Sequence, residues 1–334
     1  MRFKKAFKIY FLYISQMETI LTENPNRFTI FPLKYPDLWE LYKKAESSFW
    51  TSGEIDFSAD SNDWENLNED EKHFLLNILA FFAGSDGIVL ENLLTNFFTE
   101  VQIPEARSFY ALQAAIENIH GEVYGLLIDT FSENDEIKNN LFNAIETIPC
   151  VKKKADWAIK WMNPSLSFAH RLVAFAIVEG VFFSGSFCAI FWFKSRNKMV
   201  KTLGTSNELI ARDESMHTEF AVALYHHLDN KLDNESIYSI IREAVEIEEE
   251  FIIDSIKCSM IGMNENLMRQ YIRFVADRLL IQLGCPKIYN DENPFAFMET
   301  IGLDGKTNFF EKRVTEYQLA ENVENGNIDF SSDF

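Results

Sequence analysis

Glycine and proline are scarce, with 13 and 8 in 334 residues, about half of the usual share of roughly 12%. That excludes a turn-rich sandwich or barrel, and it excludes a long disordered linker. Cysteine is scarcer still. Cys150, Cys188, Cys258 and Cys285 form no C-x-x-C pair, and their spacing matches no zinc site. They are expected to be reduced, mostly buried thiols in a reducing, cytoplasmic compartment. Basic residues are outnumbered 31 to 51, leaving a net charge of −20. Binding a phosphate backbone requires a basic footprint, so the charge disfavours a general nucleic-acid binder and leaves room only for a discrete basic patch. The sequence has no Gly-rich phosphate loop, no repeat of fixed period and no strand-like alternation.

Long apolar helical patterns and many aromatics are what the sequence does have, with 31 Phe and 14% aromatic residues. The length allows one large domain or two ordinary ones. Residues 1–22 read as a flexible extension. Their segment MRFKKAFKIYFLYISQ is basic and then apolar, too short for a signal-peptide core and with no cleavage site after it. Residues 23–301 read as one all-α domain, and 302–334 as a flexible polar tail. Helices are expected over Pro36–Phe49, from Asn68 to about 98, and from Pro104 to about Phe131. Shorter ones are expected over 135–146 and 152–161, then long ones over 165–193, 206–228, 234–260 and 264–283. Residues 51–67 read as a loop. Asn68 and Glu71 make a capping box, Asn-x-x-Glu. Leu172–Phe193 is long enough to span a membrane. Glu179 sits near its middle, however, and a carboxylate there is costly in lipid. The expectation is a helix buried at the centre of a bundle, with no membrane.

Acidic side chains inside apolar helices are the anomaly. Asp86 lies in FFAGSDGIVLENLL, Glu117 and His120 in AAIENIHGEVYGLLID, Glu179 in AFAIVEGVFF, and Glu214 and His217 in NELIARDESMHTEFAVAL. A Glu and a His three residues apart share a helix face one turn apart. Two such pairs with two single carboxylates give four carboxylates and two imidazoles. Ferritin-like carboxylate-bridged dimetal proteins carry this inventory. Two divalent ions balance four carboxylates, so the cluster can be buried with no net charge. Oxygen and imidazole ligands without thiolate suit iron or manganese. Asp70 and His73 make a third acid-x-x-His pair, but in a charged first turn, where carboxylates favour the helix dipole. His170, His226 and His227 have no such partner and read as surface or helix-end residues.

Tyr124 follows His120 by four residues and falls on the same face. Phe183 and Phe187 lie one and two turns after Glu179, and Ile210 one turn before Glu214. Spacing allows these three to wall a dry pocket around the tyrosine, and it equally allows ordinary core packing.

FFAGSDGIVLENL, ENIHGEVYGLLIDT, RLVAFAIVEGVFFSGSF and SNELIARDESMH resemble the small subunit of class I ribonucleotide reductase of the eukaryotic and viral type. ENPNRFTIFP, YKKAESSFWTSGEIDFS and FFEKRVTEYQ extend the resemblance over about residues 23–318. It implies a ferritin-like bundle and a homodimer. It implies two iron ions per subunit, oxo-bridged, with a manganese–iron pair as the alternative, and a stable tyrosyl radical. The implied ligands are Asp86, Glu117, His120, Glu179, Glu214 and His217, with Tyr124 as the radical tyrosine and Phe183, Phe187 and Ile210 as its pocket. Trp50, Asp213 and Tyr317 are implied as the radical-transfer route. All six ligand positions hold the family's residue types, and Tyr124 is not Phe. One departure is the stretch RNKMVKTLGTSNE, which is one residue longer than the family pattern and is expected to be a loop.

The implied partner is the large subunit, docked through the C-terminal tail, where Phe330 and Phe334 stand among acids. Reduction of a ribonucleotide 2′-hydroxyl needs a thiol pair and a substrate pocket, and neither is legible here. The rival readings are a ferritin-like iron oxidase or storage protein and a stand-alone dimetal oxidase. The first shares the ligands without needing Tyr124, Trp50 or a docking tail; the second needs an open channel to the metals, whereas a radical pocket should be closed.

Overall fold

The capping box at Asn68 opens the first long helix. Its side chain accepts from the Glu71 amide at 2.9 Å, and the Glu71 carboxylate accepts from the Asn68 amide at 3.1 Å. The computed structural model describes residues 18–132, 134–255 and 257–298. Among them there is no strand, and the architecture is an all-α bundle. Helix α1 is Pro36–Ser47 and α2 is Glu69–Glu100, whose later part is a π-helical turn, Leu93–Phe97. Helix α3 is Pro104–Phe131, α4 is Asp135–Phe142 and α5 is Pro149–Trp161. Helix α6 is Phe168–Ser195, interrupted by a π-helical turn at Val178–Phe182. Helices α7 (Thr205–His226), α8 (Asn234–Glu249) and α9 (Glu265–Gln282) follow.

Helix α2 packs along α3, α6 packs on α7, and α1 lies across α3 and α7. These contacts set the carboxylate-bearing helices around one core. Among the described residues, two helices are long and apolar enough to cross a membrane by composition, Glu69–Glu100 and Phe168–Ser195. The most apolar stretch of α6 is 94% buried inside the protein, so its hydropathy is that of a core helix.

Residues 51–67 are less loop-like than their composition suggests. They contain a helical turn, Ser52–Glu54, and a short helix, Ser61–Glu65. The Asp60 carboxylate accepts from the amides of Lys201, Thr202 and Leu203 at 3.0, 2.8 and 3.0 Å. Those amides belong to a π-helical turn, Val200–Gly204, that runs into α7. The stretch expected to be a loop there thus turns at Asn197 and Met199, both with positive φ, and is helical from Val200. Three amides on one carboxylate hold the start of α7 in place.

The protein divides into two units, Met1–Phe295 and Ala296–Phe334. In the second, only residues 296–298 are described. Most of the N-terminal extension and nearly all of the tail, Tyr317 included, lie outside the described residues.

Candidate dimetal site

Each side chain of the site arrives from the face of a helix that would otherwise be apolar. Asp86 comes from α2, Glu117 and His120 from α3, Glu179 from the π-helical turn of α6, and Glu214 and His217 from α7. All six are at most 3% exposed. Ligand-type atoms of Glu117, Glu179, Glu214 and His217 lie within 4.8 Å of one another, as do those of Asp86, Glu117 and His120.

Glu117 and Glu214 span the two groups. Glu117 reaches His120 Nδ1 at 3.6 Å and His217 Nδ1 at 2.9 Å. Glu214 reaches the same two nitrogens at 3.0 and 3.1 Å. Both Asp86 oxygens, Glu117 Oε2, Glu179 Oε2, Glu214 Oε1 and His120 Nδ1 are buried without a hydrogen-bond partner. His120 Nδ1 and Glu214 Oε1 are close but not aligned as donor and acceptor. Lone pairs that converge without bonding one another are arranged as metal ligands are, and leaving them uncompensated would be expensive. The donor set of carboxylate oxygen and imidazole nitrogen fits two hard, redox-active divalent ions.

In the metal-free protein the charges press on one another. Burial and the neighbouring Glu117 push the Asp86 carboxyl well above its ordinary value, and burial with Glu214 and Glu117 does the same to Glu179. Burial alone would lower both imidazoles. Its bond to Asp213 and the adjacent Glu117 and Glu214 carboxylates nevertheless raise His120 well above its ordinary value, and Glu117 and Glu214 raise His217 to about 9. Glu214 is held low, because the adjacent Glu179 carboxyl and the two imidazoles outweigh its burial.

Three residues missed by sequence reasoning frame the site. Gln113 donates to Glu179 at 3.1 Å and to Glu117 at 3.3 Å. Phe82 stacks flat on Tyr124, with centroids 4.6 Å apart and planes 4° from parallel. Asn207 accepts from the Tyr124 hydroxyl at 3.4 Å, with its own amide tied to the Leu203 carbonyl. Their signal was helical spacing: Gln113 and Phe82 stand one turn before Glu117 and Asp86, and Asn207 two turns before Glu214.

Tyr124 is fully buried, as are Phe183 and Ile210, and Phe187 is nearly so. Phe183 and Phe187 meet the tyrosine's surroundings through Phe82, at 5.5 and 4.9 Å between centroids. Burial, then Asp86, raises the Tyr124 phenol well above its ordinary value. On the other side of His120, Asp213 Oδ2 lies 3.2 Å from Nε2 and accepts from the Trp50 indole at 2.7 Å. Arg212 holds the other Asp213 oxygen at 2.9 Å and is anchored on the Ser48 carbonyl. Of the remaining histidines, His73 and His226 are exposed and His170 and His227 half-buried, all outside these groups.

A helical bundle that buries four carboxylates and two imidazoles in two adjoining groups is a ferritin-like dimetal-carboxylate fold. The family model for ribonucleotide reductase, small chain, matches residues 27–294. The protein belongs to that family. It is 59% identical over 319 residues to a ribonucleoside-diphosphate reductase small chain of Arabidopsis thaliana, an alignment that spans 95% of this protein and 96% of that one. It is 60% identical over 302 residues to the small chain of vaccinia virus (strain Ankara), spanning 90% and 94%. Among solved structures, the ribonucleotide reductase Rnr4 homodimer of Saccharomyces cerevisiae superimposes with a TM-score of 0.80 at 38% identity, covering 95% of this chain and 99% of that one.

Proposed function

We propose that this protein is the radical-generating small chain of ribonucleoside-diphosphate reductase, with two metal ions held by Asp86, Glu117, His120, Glu179, Glu214 and His217. The reading rests on one observation: Tyr124 is sealed from solvent, flat against Phe82, with Asp86 as the charge that acts on it most. An iron-storage oxidase has no use for such a tyrosine.

Two irons, or a manganese–iron pair, supply with dioxygen the oxidising power that removes one electron from Tyr124. The protein's own residues do the rest. A phenol whose ionisation is this unfavourable gives up its proton together with its electron, and Asp86 is the charge that acts on it most. Phe82, Phe183, Phe187 and Ile210 keep out water and reductants, which gives the radical its lifetime. Asp213 fixes the far nitrogen of His120 and so its ring orientation. The same carboxylate carries the contact on to Trp50, whose ring stacks with His120 at 6.0 Å. Radical transfer to the large subunit runs by way of Trp50 and the tail residue Tyr317.

The large subunit supplies the substrate site and the thiols for reducing ribonucleoside diphosphates to deoxyribonucleoside diphosphates. The small subunit works as a cytoplasmic homodimer and docks through its C-terminal tail, NIDFSSDF, with Phe330 and Phe334 as apolar anchors. Deleting the last seven residues should leave metal content and the radical signal unchanged and abolish nucleotide reduction with added large subunit. Full activity of the truncated protein would place assembly on the helical body instead.

A further inference from the structure

The π-helical turn in α6, Val178–Phe182, breaks the regular hydrogen-bond ladder around Glu179. A one-residue change of register leaves backbone groups that need other partners. Three replacements appear together. The Ser184 hydroxyl donates to the Val181 carbonyl at 2.7 Å. Lys154, from α5, donates to the Phe182 carbonyl at 2.5 Å. Glu248, from α8, accepts from the Gly185 amide at 3.1 Å.

Lys154 and Glu248 also pair with each other at 2.5 Å, with side chains only 1% and 0% exposed. The ammonium sits over the faces of Phe81 and Phe251, 3.5 and 4.1 Å from their centroids. Burial lowers Lys154 to about 8 and raises Glu248 to about 7, each opposed by the charge of the other. Replacing such a pair with apolar residues is often neutral or stabilising, so stability alone is a poor reason for it. The close fit at Gly185 is a further mark of a built arrangement, since a Cβ there would lie 2.5 Å from Glu248 Oε1.

We infer that Lys154 and Glu248 are positioning residues that together clamp the C-terminal end of the π-helical turn and so set the Glu179 carboxylate. The pair supplies one donor and one acceptor where the helix loses both. It ties the turn to α5 and α8, and Phe183, beside the tyrosine pocket, lies in sequence between the two backbone groups so bonded. The inference rests on Glu179 being a metal ligand, as proposed above.

The test is an anaerobic Mn(II) titration of the full-length protein, with free Mn(II) counted by electron paramagnetic resonance. The parent should bind two ions. Lys154→Met and the double variant Lys154→Met/Glu248→Met should each lose roughly 10- to 100-fold in affinity for one ion, a typical loss when an outer partner of a metal ligand is removed. The ion held by Asp86, Glu117 and His120 should stay. Thermal stability of the metal-free double variant should recover toward the parent, because no unpaired charge remains, while the weakened Mn(II) site should not recover. Gly185→Ala keeps both charges but displaces the Glu248 carboxylate, and should show the same selective loss. If Mn(II) affinity recovers together with stability in the double variant, the pair is only structural. If Gly185→Ala binds both ions as the parent does, the clamp is wrong. Glu179→Ala separates the two proposals. Should it lose an ion while the clamp variants do not, this inference fails alone; should it lose none, the ligand assignment fails with it.

Discussion

The ring of Phe82 lies flat on the ring of Tyr124, 4.6 Å away and 4° from parallel. Phe82 is 1% exposed and also meets Phe81, Phe183 and Phe187, so it is the partner through which α6 reaches the tyrosine. Phe82→Ala should cost about 3–5 kcal/mol of stability, as large-to-small changes in aromatic cores do. Metal content should stay at the parent value, because no ligand is touched. The radical should decay several-fold faster, since the cavity admits small reductants. Denaturant midpoints and the decay of the resonance signal check the two halves.

Glu117 belongs to both ligand groups and Asp86 to one. Glu117→Ala should therefore lower binding at both metal positions, and Asp86→Ala at one. Elemental analysis after reconstitution should give fewer metals per subunit for Glu117→Ala than for Asp86→Ala. Equal losses would mean that the carboxylate between the two imidazoles is not shared.

Metal-free protein should show a pH dependence that the loaded protein lacks. His217 is raised from 6.5 to about 9, with Glu117 and Glu214 overcoming its burial. A raised imidazole stabilises the fold fully below its unfolded value, and that contribution is lost as pH climbs through the folded one. His120 is shifted in the same direction. Glu214 and Asp213 are lowered and act with the opposite sign, but theirs is lost only in acid, below their ordinary carboxylate range. Between pH 6.5 and 9 the metal-free protein should therefore lose stability, by up to about 3 kcal/mol from His217. Bound metal takes the neutral imidazole, so loading should flatten that decline. Denaturant unfolding at several pH values, with and without metal, measures it.

The helices of the candidate site could be read from sequence because a carboxylate in an apolar helix is conspicuous. Asp86, Glu117 and Glu179 stand in helices rich in Phe, Ile, Val and Leu, Glu214 and His217 repeat the spacing of Glu117 and His120, and the structure brings all six together. Asn68 was legible as a cap because its partner Glu71 is local. The π-helical turns were not legible. Val178–Phe182 gives no local sign of its change of register, and the Lys154 and Glu248 side chains that bond Phe182 and Gly185 are distant in sequence. Phe82 was hidden for another reason, since a Phe at helical spacing is ordinary core until the ring above it is known. Asp60, holding three amides some 140 residues away in sequence, gave no local sign. Trp50 and Asp213 carried their meaning only through the family resemblance, and their contact became visible once α1 was placed across α3 and α7.

The central claim is that Tyr124 carries the unpaired electron. Metal-free protein and its Tyr124→Phe variant should be loaded with Fe(II), exposed to oxygen and compared by electron paramagnetic resonance. The substitution removes one hydroxyl from a buried site, where it donates to the Asn207 side chain at 3.4 Å. Fold and iron content should therefore match the parent. The parent should show a persistent tyrosyl signal and the variant none. An undiminished tyrosyl signal in Tyr124→Phe, at equal iron content, would contradict the account.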